Sequence, residues 1–405
     1  VLNTLVLAIA VIMTLPVGAA EAQTCGTTVT ADVVVFDTPI MFNRLGAQNP
    51  NWITYALKRD VVGLNGGAPS AGNAQMRKDK RIRPLVLRVN EGDCLQVNFT
   101  NWLAPAANPF APADREPEMN GDSPFLLQDD QVAGRKAGFH VRGLQRKGGI
   151  GAGATNTGKN PSSLVGPGGS ATYTYYAPPT TRGTYLADSY GATFGGEATA
   201  GNTGQGMFAA VNVEPKGARW YRSQVTEEEL FLATTGYTAA NQPILNYEAL
   251  YPDVEPWITE GKAGKPILNM KAGNAIFHSD LNAVIAGPNN DGTFPANTYP
   301  LESVGKRNPA VPNRLEAFRE FTVVFHDEAS VGQAFPGWFD ANAVTRRILH
   351  GVRDTFMINY GVGGVGAEII ANRLGVGPMW DCLTCAYEEF FLSSSAVGDP
   401  AMLVD

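Results

Sequence analysis

Cys94-Leu95-Gln96-Val97-Asn98-Phe99-Thr100 alternates apolar and polar residues with a period of two. Successive side chains of an extended chain leave opposite faces, so this run makes a strand with one apolar and one wet face. It follows Arg83-Pro84-Leu85-Val86-Leu87-Arg88-Val89 and the turn cluster Asn90-Glu91-Gly92-Asp93, and the three pieces together predict a β-hairpin. Further strands are expected at Val33–Phe36, Ala171–Tyr176, Thr184–Ser189 and Gly204–Pro215. No segment longer than a few turns carries clean helical spacing. With 45 Gly, 27 Pro and only 17% charged residues, the chain suits short strands joined by turns, an all-β class.

The 405 residues suggest two domains after an export signal. Leu5–Val17 has the length of a secretory apolar core, and Ala19-Ala20-Glu21-Ala22 offers a small-x-small cleavage site before Gln23. The expected division is 1–23 signal peptide, 24–217 first domain and 218–405 second domain, with the boundary at Pro215-Lys216-Gly217-Ala218. In the second half, strands are predicted at Glu229–Thr234, Ala275–His278, Leu281–Ile285, Phe321–Phe325 and Tyr387–Ser393, and short helices at Ala341–Leu349 and Ala367–Arg373. The tetrapeptide Asn43-Arg44-Leu45-Gly46 recurs as Asn372-Arg373-Leu374-Gly375, in keeping with two related domains. The apolar ending Ala401-Met402-Leu403-Val404 leads us to expect that the natural polypeptide continues.

Export makes disulfides reasonable, with Cys25, Cys94, Cys382 and Cys385 as candidates. Cys25 with Cys94 would staple the chain start to its sheet, and Cys382 with Cys385 would close a local loop; three pairings are open. Ala386 stands where covalent haem attachment needs His. The net charge of −7 argues against a nucleic-acid partner, and no stretch after the signal is long and apolar enough for a membrane span. Gly361-Val362-Gly363-Gly364-Val365-Gly366 fits the dinucleotide fingerprint, but the strand–helix alternation that would give it a parallel sheet is missing.

Four segments together resemble the multicopper oxidases. The Leu85–Val97 strand pair is similar to the early strands of a cupredoxin domain. Phe139-His140-Val141-Arg142-Gly143-Leu144 resembles the His-x-His-Gly-Leu segment that opens a trinuclear copper site. Pro167-Gly168-Gly169 resembles the turn before the next strand, and Gly206–Pro215 the strand that closes such a domain. The second half, around Phe325-His326-Asp327-Glu328, His350–Asp354 and Glu388–Asp405, is similar to large, many-domain members that oxidise manganese or other metals. The resemblance implies two cupredoxin-like Greek-key β-sandwich domains with long loops and a few short helices. It also implies copper as the cofactor of the full-length family, a secreted, periplasmic or cell-surface location, and a metal-ion or phenolic substrate oxidised with reduction of dioxygen. The implied partners are further cupredoxin domains of the same polypeptide or an oligomeric partner. The alternative is a non-catalytic cupredoxin-like structural or surface-binding protein.

The departures from the family are as informative. Residues i and i+2 of a strand share a face, so a His-x-His pair addresses adjacent metal ions. Here Arg142 takes the place of the second histidine, and Thr184–Ser189, where another His-x-His pair is expected, has none. The four histidines, His140, His278, His326 and His350, are too few for a complete trinuclear centre. The metal candidates are therefore His140, His278 and His326, each more readily explained by a structural role. His326 and Asp327 would face opposite ways on a strand, and His350 beside Arg353 and Asp354 reads as a turn with a local ion pair. The expectation is a scaffold that kept its shape and lost its metal.

Overall fold

The computed structural model describes residues 24–41, 47–49, 52–80, 82–105, 135–149, 152–154, 159, 161–190, 201–223, 225–253, 261–298, 315–326, 332–333, 357–359 and 397–398. The signal segment, both copies of the repeated tetrapeptide, the glycine motif, Cys382, Cys385, His350, the strand at 387–393 and the two expected helices lie outside these residues.

Two sheets packed face to face carry the molecule. The strands are β1 (Thr28–Asp37), β2 (Ile53–Leu57), β3 (Leu85–Asn90), β4 (Cys94–Asn101), β5 (His140–Val141), β6 (Gln145–Lys147), β7 (Ser170–Tyr176), β8 (Gly183–Asp188), β9 (Phe208–Glu214), β10 (Arg219–Arg222), β11 (Lys271–Ala272), β12 (Ala275–Ile276), β13 (Ala283–Ala286) and β14 (Phe318–Glu320). The first sheet runs β6–β7–β4–β1–β12–β11, with β2 also antiparallel to β1; the second runs β3–β9–β8–β5. The pairs β1–β4 and β3–β9 are parallel.

The alternation seen in the sequence is the reason for the packing. Leu95, Val97 and Phe99 of β4 point inward with Val29, Ala31, Val33 and Val35 of β1, and they meet Leu85, Leu87 and Val89 of β3 and Val211 and Val213 of β9. Each such side chain, fully buried, contributes roughly 1.5–3 kcal/mol relative to exposure. The other face of β1 is buried too: Val34 and Phe36 pack on Ala56, Val61, Ala74 and Trp102. That double burial explains the unbroken apolar run Val33–Phe36.

The expected hairpin is corrected by this topology. Leu85–Asn90 and Cys94–Asn101 lie in different sheets, so the turn between them crosses the sandwich rather than closing a ladder. Its backbone groups are taken by distant parts of the chain: Glu91 N–H donates to Glu214 O, Gly92 N–H to Ala177 O, and Gly26 N–H to Gly92 O. Gly92 sits at φ +86, where a side chain would be strained. Nor does β3 keep a wet face, since every residue in it is buried.

A disulfide joins Cys25 to Cys94, with Cα atoms 5.3 Å apart and a sequence separation of 69. It ties the segment before β1 to the start of β4, next to the register pair Thr28–Cys94. Closing a loop of that length stabilises a fold by about 4 kcal/mol through the unfolded state.

A second correction concerns Glu229–Thr234. Glu227–Ala233 is a helix, α1, and only from Thr234 does the chain become extended. Thr226 and Glu229 form a capping box: Glu229 N–H donates to the Thr226 hydroxyl and Thr226 N–H to the Glu229 carboxylate, both at 3.2 Å. Glu229 and Ala233, four residues apart, share the buried face, while Phe231 points outward and is 72% exposed.

The turn at Pro215–Gly217 does not mark a break in the core among the described residues. Trp220, Met270, Ile276, Ala283, Ile285 and Phe294 belong to the same apolar cluster as the sandwich. β12 pairs with β1, and the sheet β10–β13–β14 lies against the sandwich.

Candidate functional site

The neighbourhood of His140 is built by two antiparallel strands. β5 pairs with β8 in the register His140–Asp188 and Val141–Ala187, which puts His140 and Asp188 directly opposite on one face. Arg142 and Tyr190 lie just past the ends of β5 and β8, and their side chains meet the same pair: Arg142 reaches Asp188 and Tyr190 packs on His140. His140, Arg142, Asp188 and Tyr190 thus form one neighbourhood.

Their contacts form a closed set. Arg142 Nε donates to Asp188 Oδ1 at 3.3 Å and Nη2 to Oδ2 in a shorter bond, a two-pronged ion pair. Asp188 is fully buried, whereas the Arg142 side chain is 45% exposed, so the cation covers the carboxylate from the solvent side. The guanidinium lies 5.2 Å from the Tyr190 ring centroid, and the His140 ring meets Tyr190 edge-on at 4.6 Å. His140 Nδ1–H donates to Gly153 O at 2.7 Å, which leaves the lone pair on Nε2. Burial holds the His140 pKa below the ordinary histidine value, and the hydrogen bond to Asp188 raises that of Arg142.

This donor set does not fit a copper ion of the trinuclear kind. One neutral imidazole is present, the second position is a permanent cation, and the carboxylate is already engaged by it. A copper cation beside the guanidinium would meet like charge in a partly desolvated place. The sequence pointed to His140 and Arg142 but missed Asp188 and Tyr190; the pairing of Arg142 with Asp188 is diagonal across β5 and β8 and depends on their register.

The other candidates stand apart from this face. His278 is buried; its Nε2–H donates to Pro266 O at 2.8 Å, and its Nδ1 has no hydrogen-bond partner among the described residues. Burial drives its pKa well below the ordinary value. Asp280, two residues beyond His278, is held by Arg83 and Arg222, each at 2.7 Å. His326 lies on the strand Val324–His326, which pairs with Met357–Asn359, and its side chain is outside the described set. Among the described residues no group of three or more His, Cys, Asp or Glu is placed to hold a metal ion.

Two buried ionic clusters join the later residues to the sandwich. Arg222 bridges Asp280 and Glu229, and the Tyr251 hydroxyl donates to Glu229. Burial would push the Glu229 carboxyl up, yet Arg222 and Tyr251 bring it down to about 2. In the second cluster, Arg88 donates to Glu320 at 2.6 Å and to the carbonyls of Asp280 and Leu281 at 2.7 and 2.9 Å. Burial, with Glu320 as neighbour, raises the Glu214 carboxyl well above its ordinary value.

Face-to-face sheets with parallel β1–β4 and β3–β9 pairs, and a chain that passes repeatedly from one sheet to the other, complete the comparison with the expected architecture. The fold is cupredoxin-like. No family model matches the chain, and no curated protein does. Among solved structures it is similar to a multi-copper oxidase from Pseudomonas thermotolerans, with 18% identity over 46% of this chain and 30% of that one, at a TM-score of 0.25. It is also similar to the blue copper oxidase from Nitrosomonas europaea, with 15% identity over 47% and 39% and a TM-score of 0.24. A third is Fet3p, titled a multicopper oxidase that functions in iron import, with 14% identity over 47% and 23% and a TM-score of 0.25. The matched part spans well under half the length of each of these proteins.

Proposed function

We propose that this chain is the amino-terminal portion of an exported multicopper-oxidase-like protein in which the sandwich serves as architecture and copper chemistry belongs to other domains. The observation that carries the reading is the face formed by His140, Arg142, Asp188 and Tyr190, where an ion pair and a phenol stand in the place of imidazoles. In this reading the intact protein oxidises a metal ion or a phenol and passes the electrons to dioxygen. The chain in hand supplies contacts between cupredoxin domains, within one polypeptide or across an oligomer. The division into 24–217 and 218–405 belongs to the same proposal, as does removal of residues 1–23 on export. The Cys25–Cys94 bridge supports an oxidising compartment. Among the described residues no helix is long and apolar enough to cross a membrane.

The test is dioxygen uptake by the 405-residue chain after incubation with copper, with a phenol or a reduced metal ion as donor. We expect no copper-dependent uptake from this chain by itself; sustained turnover would contradict the reading.

A second reading, a metal-free module that binds a surface, is favoured by one feature. Phe231, Tyr237, Ile244, Tyr247 and Leu250, all between α1 and residue 250, are large apolar side chains open to solvent.

A further inference from the structure

Two carboxyl groups and one guanidinium meet where residues 318–322 dock on the sandwich. Glu214 ends β9, Arg88 lies on the neighbouring strand β3, and Glu320 ends β14, the edge strand of the sheet β10–β13–β14. Arg88 Nη2 and Nε donate to Glu320 Oε1 at 2.6 and 3.0 Å, and Asn212 Nδ2 donates to the same oxygen at 2.7 Å. Glu214 Oε1 stands 3.7 Å from Arg88 Nε, beyond hydrogen-bond reach, and has no N–H donor among the described residues. The two carboxyl groups are hydrogen-bonded to each other. The Arg88 and Glu214 side chains are 2% and 3% exposed.

One guanidinium balances one carboxylate, so the second carboxyl group must keep its proton or stand as an uncompensated charge out of water. The hydrogen bond between the two requires the same proton, because ionised carboxylates only accept. Glu214 is the partner that keeps it, since the N–H donors all go to Glu320. The charges acting on Glu214 are those of Glu320 and Arg88. The other side chains packed on the group, Asn212, Thr322 and Met270, are neutral, and the carbonyls of Asp280 and Leu281 accept from Arg88. The carboxylates of Asp280 and Glu91 have cations of their own, Arg83 and Arg222 for the first and Arg182 for the second.

We propose that a single proton held between Glu214 and Glu320, beside Arg88, closes a buried latch between the sandwich and the edge strand β14, and that alkaline pH opens the latch by taking the proton away. On opening, the Glu214 O–H proton passes to solvent and two carboxylates are left on one guanidinium. The side that gives way is β14. Every residue of β9 is buried between β3 and β8, whereas β14 pairs with β13 at three positions only and carries the more exposed carboxyl, with the Glu320 side chain at 19%. Phe318, stacked 6.2 Å from Phe294, and the Thr322 N–H on Asn282 Oδ1 leave with it. The folded value of Glu214 lies above the unfolded 4.5, so the proton-linked stabilisation is complete below pH 4.5 and is lost as pH rises toward the folded value. The latch does not depend on whether the intact protein carries copper.

The experiment is infrared spectroscopy of the full chain at about pH 7, where ordinary carboxyl groups are ionised and a carboxylic C=O band that shifts in D2O reports a retained proton. The native protein should show the band, and Glu214→Gln and Glu320→Gln should both lose it. The first variant has no acid left to protonate; the second leaves one carboxylate for one guanidinium. Amide hydrogen exchange, corrected for its intrinsic pH dependence, then follows residues 318–322 between about pH 6 and about pH 9. Protection there should fall in the native chain by up to about tenfold per pH unit while the closed state keeps its proton, and stay level in Glu214→Gln. If Glu214→Gln does not fold, the band in Glu320→Gln decides the matter. A native protein without the band, a band that persists in either variant, or an equal fall of protection in native and Glu214→Gln chains would overturn the latch and leave the proposed function standing.

Discussion

His278 is the residue whose protonation most directly opposes the fold. Its imidazole is buried, its Nδ1 has no hydrogen-bond partner among the described residues, and Arg222 adds like-charge repulsion to the cost of burial. The folded pKa therefore lies below the unfolded value of 6.5. As pH falls through 6.5 the unfolded chain takes up a proton that the folded chain refuses, so stability declines with a slope of up to about 1.4 kcal/mol per pH unit. The carboxylates of Glu229 and Asp280, depressed in the folded state, lose their stabilisation only further down, below their unfolded values of 4.5 and 3.8. Urea denaturation at about pH 7.5 and about pH 5.5 spans this window; His140 and Glu214 are common to both proteins, so the difference from His278→Gln isolates His278. Relative to His278→Gln, which keeps a donor for the Pro266 carbonyl, the native chain should lose stability between the two. An equal change in both proteins would show that His278 is not the group responsible.

At the scale of elements, α1 shows why local signals were misread. Glu229-Leu230-Phe231-Leu232-Ala233-Thr234 looks like a strand if only its apolar content is counted. The deciding pattern starts one step earlier, with Thr226 and Glu229 spaced for a capping box and acids at 227–229 facing the positive end of the helix. Thr226→Ala removes the acceptor for Glu229 N–H and should cost about 1 kcal/mol, read as a shift in denaturation midpoint with an unchanged slope. No measurable shift would mean that Arg222 and Tyr251, which also hold Glu229, suffice to keep the helix start in place. The β3–β4 pair teaches the complementary lesson. An apolar run located β3 and alternation located β4, each to within two residues, the second because a face that must be buried writes itself into every second position. It could not say that they belong to different sheets, because that depends on which distant strands claim their backbone groups, β9 for one and β1 and β7 for the other.

For the whole molecule, the sandwich was legible in its parts: Val33–Phe36, Cys94–Thr100, Ser170–Tyr176 and Gly206–Pro215 all became strands of its two sheets. The continuity between the sandwich and residues 218–298 was not, since it rests on long-range pairs such as Arg88 with Glu320 and Arg222 with Asp280 that carry no local signature. Of the candidate face, only His140 and the odd cation at 142 were legible beforehand. Asp188 and Tyr190 became visible only with the register of β5 against β8.

In the proposed function an ion pair on a cupredoxin-like sandwich stands in place of a metal-binding face. The most direct test of that reading is the copper content of the purified 405-residue chain after saturation with copper and removal of the free ion by dialysis. We predict no copper retained on the His140 face, with Arg142→Lys equal to the native protein. Retained stoichiometric copper that is lost on His140→Ala would contradict the claim.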